Sequence, residues 1–235
     1  MKSELIKINK LLIGKFGLPK RNKTKPDPVD TLIATILSQN TNDKNSYAAY
    51  LNLKQKFKSW DEAAEADNKS IEHLIRVGGL AKQKAKAIKM LLSKLKKQQG
   101  IISLNYLDES INDEIVNELV KFKGVGVKTA SCVLLFSMNR NVCPVDTHVH
   151  RILNRIGLAK TKSPDKTFEL LNKKVPDGVA HSLHTNLIML GREICKSGKP
   201  ACFGCPILKI CKYQEKNLLP IKIKEGKSFL LLDSI

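Results

Sequence analysis

The sequence predicts an all-α protein, and three observations predict it. Apolar residues recur at three- and four-residue spacing along most of the chain, no strand-like alternation of any length intervenes, and glycines and prolines break the helical runs cleanly. A length of 235 residues suits one large domain or two small ones, with ample core for either. A hydrophobic fraction of 42% is that of an ordinary globular chain. The charge is not ordinary: 41 Lys and Arg against 22 Asp and Glu give +19. Such a surface implies a polyanionic partner, with nucleic acid the default and an anionic membrane surface its rival. No apolar run approaches the roughly 18–20 residues that span a bilayer, so no membrane partner is expected. An aromatic content of 5% argues against a general binder that stacks many unpaired bases.

Taken in order, residues 1–27 begin MKSELIKINKLLIGKFGL, which reads as a basic amphipathic helix with Leu5, Ile8, Leu11 and Leu12 on one face. Its lysines interrupt the apolar core of about 7–15 residues that a secretory signal needs, so an intracellular, cytoplasmic and nucleoid-associated protein is expected. The polar, proline-punctuated KRNKTKPDPVD connects onward. Asp30-Thr31 then opens TLIATILSQN, apolar enough to be a buried central helix. Helical runs follow at 44–57, 61–66, 70–77, 82–99 and 113–122, with Gly78-Gly79 as one clean break. The basic residues from Lys82 to Lys97 are expected on a solvated face. Helical spacing resumes after Asp146, then at 164–174 and 183–194, whereas the tail after Cys211 lacks it. No repeat of 20–50 residues is present.

The most informative stretch is 119–150, LVKFKGVGVKTASCVLLFSMNRNVCPVDTHVH. Ile115, Leu119 and Phe122 before the turn, and Ala130, Val133 and Leu134 after it, make a helix–turn–helix around Gly124-Val125-Gly126. Two glycines there permit positive φ or close approach of another backbone. The first amides of the second helix have no intrahelical partner, and with the helix dipole behind them they make a phosphate site. Lys128 falls in that first turn. Asp146 stands just ahead of the next helical run, as its N-cap or as a functional carboxylate.

Four cysteines, Cys195, Cys202, Cys205 and Cys211, form C-x6-C-x2-C-x5-C. Disulfides do not suit a reducing compartment, and four thiolates suit zinc or an iron–sulfur cluster. The spacing alone says one four-thiolate metal site. Cys132 and Cys143 are left over and read as small packing residues. His148 and His150 diverge on a helix, and His181 and His184 have no carboxylate set to complete a metal site, so all four read as structural or phosphate-facing.

KGVGVKTA followed by PVDTHVHR resembles the endonuclease III branch of the helix-hairpin-helix DNA glycosylases, and the cysteine spacing matches that family's iron–sulfur loop, including the proline after the third cysteine. The resemblance runs from about Pro28 to Tyr213. It implies a six-helix barrel over 29–140 and a discontinuous cluster lobe from 1–28 and 141–235, with Lys128 and Asp146 facing each other across a DNA cleft. It also selects a [4Fe–4S] cluster, whose loop lysines (Lys196, Lys199, Lys209, Lys212) would meet phosphates. Gly124, Val125 and Gly126 would contact DNA. Gln39 or Asn40 would supply one wedge into the base stack, and the loop from Gly78 to Ala85, with Lys82, would supply the other. Leu80 is either that loop's plug or a core leucine after a helix cap.

The resemblance implies a monomer acting on duplex DNA with damaged bases or abasic sites. The expected activity is that of a bifunctional glycosylase and abasic-site lyase of base excision repair, removing oxidised pyrimidines. Two rivals stand beside it: a mismatch or alkylated-base glycosylase on the same scaffold, and a non-catalytic iron–sulfur protein that scans DNA. The residues suit the first reading. A carboxylate such as Asp146 stabilises an oxocarbenium-like sugar, and a neutral amine such as that of Lys128 can attack C1′. A lysine ordinarily titrates near about 10.4, so a helix start and partial burial would favour the neutral amine while Asp146 would oppose it.

Overall fold

The computed structural model describes residues 1–21, 24–220 and 231–235. Among them there are eleven α-helices and no strand, and no helix is long and apolar enough to cross a membrane. The chain forms two compact units, one from residues 24–140 with 231–235, the other from 1–21 with 141–220.

The first unit is built on α2 (Pro28–Leu37), whose side chains from Thr31 to Leu37 are all buried. Asp27 starts it, one carboxylate oxygen accepting from the amides of Val29 at 2.7 Å and Asp30 at 3.3 Å, and Pro28 fills the position where an amide is not needed. Around α2 lie α3 (Asp43–Lys56), α4 (Trp60–Glu65), α5 (Asn68–Leu74), α6 (Ala81–Gln99), α7 (Asn112–Leu119) and α8 (Val127–Phe136). Helix α2 packs directly on α8, α3 and α6. Deep between α2 and α8, the Ser137 hydroxyl donates to Thr31 Oγ1 at 2.6 Å. Asn42, Ser59 and Asp67 cap α3, α4 and α5 with side-chain oxygens, and Gly100 ends α6 at φ 73°.

The second unit joins α1 (Lys2–Phe16) to α9 (Thr147–Arg155), α10 (Pro164–Asn172) and α11 (Ala180–Glu193), with the four-cysteine loop following α11. Helix α1 packs on α11, and α9 on α10 and α11. The Asn186 side-chain amide donates to the Gly17 carbonyl at 3.0 Å, closing the end of α1.

Three expectations are corrected. Leu11 is 37% exposed, and Asn9 takes a buried place on α1 beside Leu5, Ile8 and Leu12. The lysines of α6 do not all face water: Lys84 is 2% exposed and Lys89 reaches the carbonyls of Ala64 and Ala66, whereas Lys96 stays exposed in a surface pair with Asp61. The end of the chain belongs elsewhere than expected. Residues 221–230 of the tail lie outside the described residues, but Leu231–Asp233 forms a 3-10 turn against α2 and α3, with Leu231 buried. The last five residues therefore sit with the helical unit built on α2 and not with the cysteine lobe.

Because α2 and α8 share one core, Leu134→Ala should cost about 2–5 kcal/mol, the usual range for a large-to-small change at a fully buried site. Urea unfolding followed by circular dichroism checks this through the midpoint.

Candidate functional site

Helix α8 begins without a side-chain cap, as α1, α6, α7 and α11 also do. Among the described residues six helices, α2, α3, α4, α5, α9 and α10, are capped by a side-chain oxygen, but α8 is preceded by Gly126, which has none to offer. The first amides of α8 are thus left to an external acceptor. Gly124 takes φ 83°, and a Cβ built on it would lie 3.2 Å from the Cβ of Ala87, so this glycine both turns the chain and lets the hairpin sit against α6. Gly126 is extended, φ −103°, with open space around its Cα. Only the first of the two glycines uses the left-handed region. Val125 is buried and holds the turn down. Lys128 occupies the second position of α8, half-buried, and its ammonium has no hydrogen-bond or ion-pair partner among the described residues.

Two neighbouring loops carry the other expected residues. After α2, Gln39 donates its side-chain amide to the Gly124 carbonyl at 2.8 Å, joining this loop to the hairpin. Asn40 follows, exposed and left-handed at φ 51°. Ahead of α6, Leu80 is 49% exposed and also left-handed at φ 50°. That excludes the core reading of Leu80, since its side chain stands in solvent. Asparagine tolerates this conformation, but for leucine it costs on the order of 1–2 kcal/mol. Lys82, in the first turn of α6, is exposed.

The segments just before Asn40 and Leu80 share a fastening that sequence reasoning missed. Lys84 Nζ donates to the Leu37 carbonyl at 2.7 Å and to the Gly78 carbonyl at 2.8 Å. Burial lowers its pKa to about 8. A signal was present: Lys84 keeps helical register with Ile88, Leu91 and Leu95, the buried face of α6.

In the other unit, Asp146 is the N-cap of α9, its Oδ1 accepting from the Val149 amide at 2.8 Å. Three histidines make packing or hydrogen-bond contacts within the protein. His148 packs against Gly191, where an added Cβ would come within 2.7 Å of it, and its pKa is lowered by burial against the pull of Asp146. His150 bonds Thr167, and His184 the Pro144 carbonyl. Cys132 and Cys143 are fully buried.

Several comparisons bear on these features. Residues 33–177 match the HhH-GPD superfamily, base excision DNA repair proteins. Endonuclease III of Thermotoga maritima is 34% identical over 196 residues, which cover 83% of this chain and 88% of that one. The chain belongs to the HhH-GPD superfamily of base excision DNA repair proteins. An Arabidopsis thaliana protein provisionally named a DNA glycosylase is 43% identical over 180 residues, 76% of this chain, and the match spans 61% of that relative's length. Two solved structures superpose with TM-scores of 0.75 at 27% identity: a non-covalent endonuclease III–DNA complex and a trapped endonuclease III–DNA covalent intermediate. Each match covers 90% of this chain, and 95% and 96% of theirs.

In this HhH-GPD chain the four cysteines of the second unit line one apolar cavity with Ile152, Ile156, Leu190, Ile194 and Ile207. Burial pushes the Cys205 thiol up to about 12, and charge on Cys195, Cys211 and Cys202 would push it the same way. Thiolates gathered so need a cation among them, which fits a metal centre held by all four. Among the described residues, however, no three His, Cys, Asp or Glu side chains converge on a single-ion site. Two arginines of α9, also missed from sequence, hold this loop. Arg151 donates to the Cys195 carbonyl at 2.8 Å, and Arg155 to the Lys196 and Ser197 carbonyls at 2.7 and 2.8 Å and to Cys195 Sγ at 3.4 Å.

The two hairpin glycines should respond differently to alanine. Gly124→Ala forces a side chain into φ 83° against Ala87 and should cost about 1–3 kcal/mol, while Gly126→Ala should stay within roughly 0.5 kcal/mol of wild type. Thermal melts of the two variants measure the difference.

Proposed function

We propose that this endonuclease III-like glycosylase removes oxidised pyrimidines from duplex DNA and then nicks the strand on the 3′ side of the abasic site by β-elimination. The observation that carries the reading is Lys128, in the first turn of an uncapped helix, its ammonium without a partner among the described residues. The hairpin amides from Gly126 onward, with the positive end of α8 behind them, would hold a DNA phosphate beside it. A basic chain at +19 supplies the rest of the attraction to the duplex.

The target base lies inside the stack and must be swung out, at a cost of a few kcal/mol. Two exposed left-handed residues, Asn40 and Leu80, suit the task of filling the gap. Gln39 is committed to the Gly124 carbonyl, which favours Asn40 over Gln39 as the wedge of the first loop. Lys82 would steady a phosphate beside Leu80.

The chemistry then needs two groups. The Asp146 carboxylate stabilises positive charge at C1′ as the C1′–N bond lengthens. The neutral amine of Lys128 bonds to C1′, the base leaves with the bonding pair, and the opened sugar becomes a Schiff base on Nζ. The iminium acidifies the 2′ carbon. Loss of its proton to a base expels the 3′ phosphate with its electron pair, and the strand is cut. The relative trapped covalently on DNA supports such an intermediate here.

Cys195, Cys202, Cys205 and Cys211 would hold a [4Fe–4S] cluster, which clamps the loop carrying Lys196, Lys199 and Lys209. The protein would act as a monomer in the cytoplasm, on the nucleoid.

Borohydride reduces a Schiff base to a stable amine, so protein mixed with abasic duplex and borohydride should cross-link one to one. Lys128→Gln should lose the cross-link and the nicking while still binding DNA. Asp146→Asn should bind normally and release base about 10²-fold more slowly or worse. Cross-linking by Lys128→Gln at the wild-type rate would place the nucleophile elsewhere. A panel of duplexes bearing oxidised, mismatched and alkylated bases sorts the substrate class.

The cofactor is tested separately. Anaerobically purified protein should be brown and carry about four irons per chain. Cys202→Ser should lose both the colour and part of the DNA affinity. Colourless protein with one zinc would overturn the assignment.

A further inference from the structure

A buried lysine needs a reason. Lys84 is 2% exposed and has no carboxylate partner among the described residues, so its ammonium bears the cost of burial for two backbone carbonyls alone. A methionine would fill the same volume without that cost, so core packing does not explain the charge. The two carbonyls are not arbitrary. Leu37 ends α2 three positions ahead of Asn40, and Gly78 ends a 3-10 turn two positions ahead of Leu80. Those are two of the three non-glycine residues with positive φ among the described residues. One ammonium thus ties together the roots of both left-handed loops.

We propose that Lys84 is a positioning residue: by bridging the Leu37 and Gly78 carbonyls it holds Asn40 and Leu80 in the left-handed conformation that opens a base pair. This rests on the glycosylase reading above. Lys84 touches no substrate, and its buried amine is in no position to attack a sugar. It acts through the loops. Its pKa of about 8 leaves it mostly charged at neutral pH, which suits two charge-assisted hydrogen bonds. Fixing two separate loops to one atom also fixes their spacing, and a wedge displaced by about 1 Å can cost as much as 10²-fold in rate.

The test compares wild type, Lys84→Met and Lys84→Gln as full-length protein purified with whatever metal it carries. Gln keeps two N–H donors on a shorter arm and so serves as the conservative variant. Three quantities are measured: affinity for an undamaged duplex, single-turnover base release from the same duplex carrying thymine glycol, and the fluorescence rise of a 2-aminopurine beside the lesion as the stack opens. The Met variant should bind undamaged duplex within about two-fold of wild type, yet lose roughly 10–100-fold in base release and in the rate of the fluorescence rise, with Gln between the two. Should Met fail to fold, Gln against wild type carries the same comparison. Base release at the wild-type rate overturns the inference, and so does a parallel loss of affinity and rate. If wild type itself releases no base from any duplex of the lesion panel, it is the glycosylase reading that falls.

Discussion

Helix ends govern much of this molecule, because the last carbonyls of a helix have no partner within it. The unit built on α2 packs several short helices together, and its loops bring those carbonyls into places that water reaches poorly. Long basic side chains solve the problem. Lys84 bridges the ends of α2 and of the 3-10 turn at Arg76–Gly78, and Lys89 does the same for Ala64 and Ala66 at the end of α4. Each cation also meets the negative end of a helix dipole, which adds to the hydrogen bonds. Part of the large positive charge of the chain is therefore structural and not available to a polyanion.

The cysteine lobe uses the same device with arginine. Arg151 and Arg155, one turn apart on α9, reach the carbonyls of Gly191, Cys195, Lys196 and Ser197 where α11 gives way to the cysteine loop. The guanidinium fork suits a cluster of carbonyls better than an ammonium does, since it offers several donors in a fixed plane. Arg155 also lies 4.4 Å over the ring of Tyr213, beyond the fourth cysteine, so one side chain braces both ends of the loop. The loop is thus held by protein groups as well as by any metal its cysteines bind.

How far the sequence could be read follows from which properties are local. Helix runs, the hairpin and the cysteine set were legible because periodicity and spacing are written along the chain. Gly124 and Gly126 looked alike because the choice of which glycine turns left-handed depends on the hairpin settling against Ala87, a contact 37 residues away (124 − 87). Leu80 could not be assigned to core or solvent from its neighbours, since the preceding Gly79, at φ 67°, redirects the chain. Lys84 was overlooked for a different reason. Among the lysines of α6 its residue type says surface, and only its register with Ile88 and Leu91 says otherwise.

Asp146 shows why two readings offered as rivals need not exclude one another. One oxygen of its carboxylate is tied to the Val149 amide, so it is an N-cap. A carboxylate that is to stabilise charge on a sugar must not swing or turn toward the nearest lysine, and the cap supplies that restraint at no further cost to the fold. The second oxygen has no hydrogen-bond partner among the described residues. The cap and the proposed chemistry therefore ask for the same residue in the same place, and an aspartate, one methylene shorter than glutamate, is the acidic side chain that can reach its own helix start.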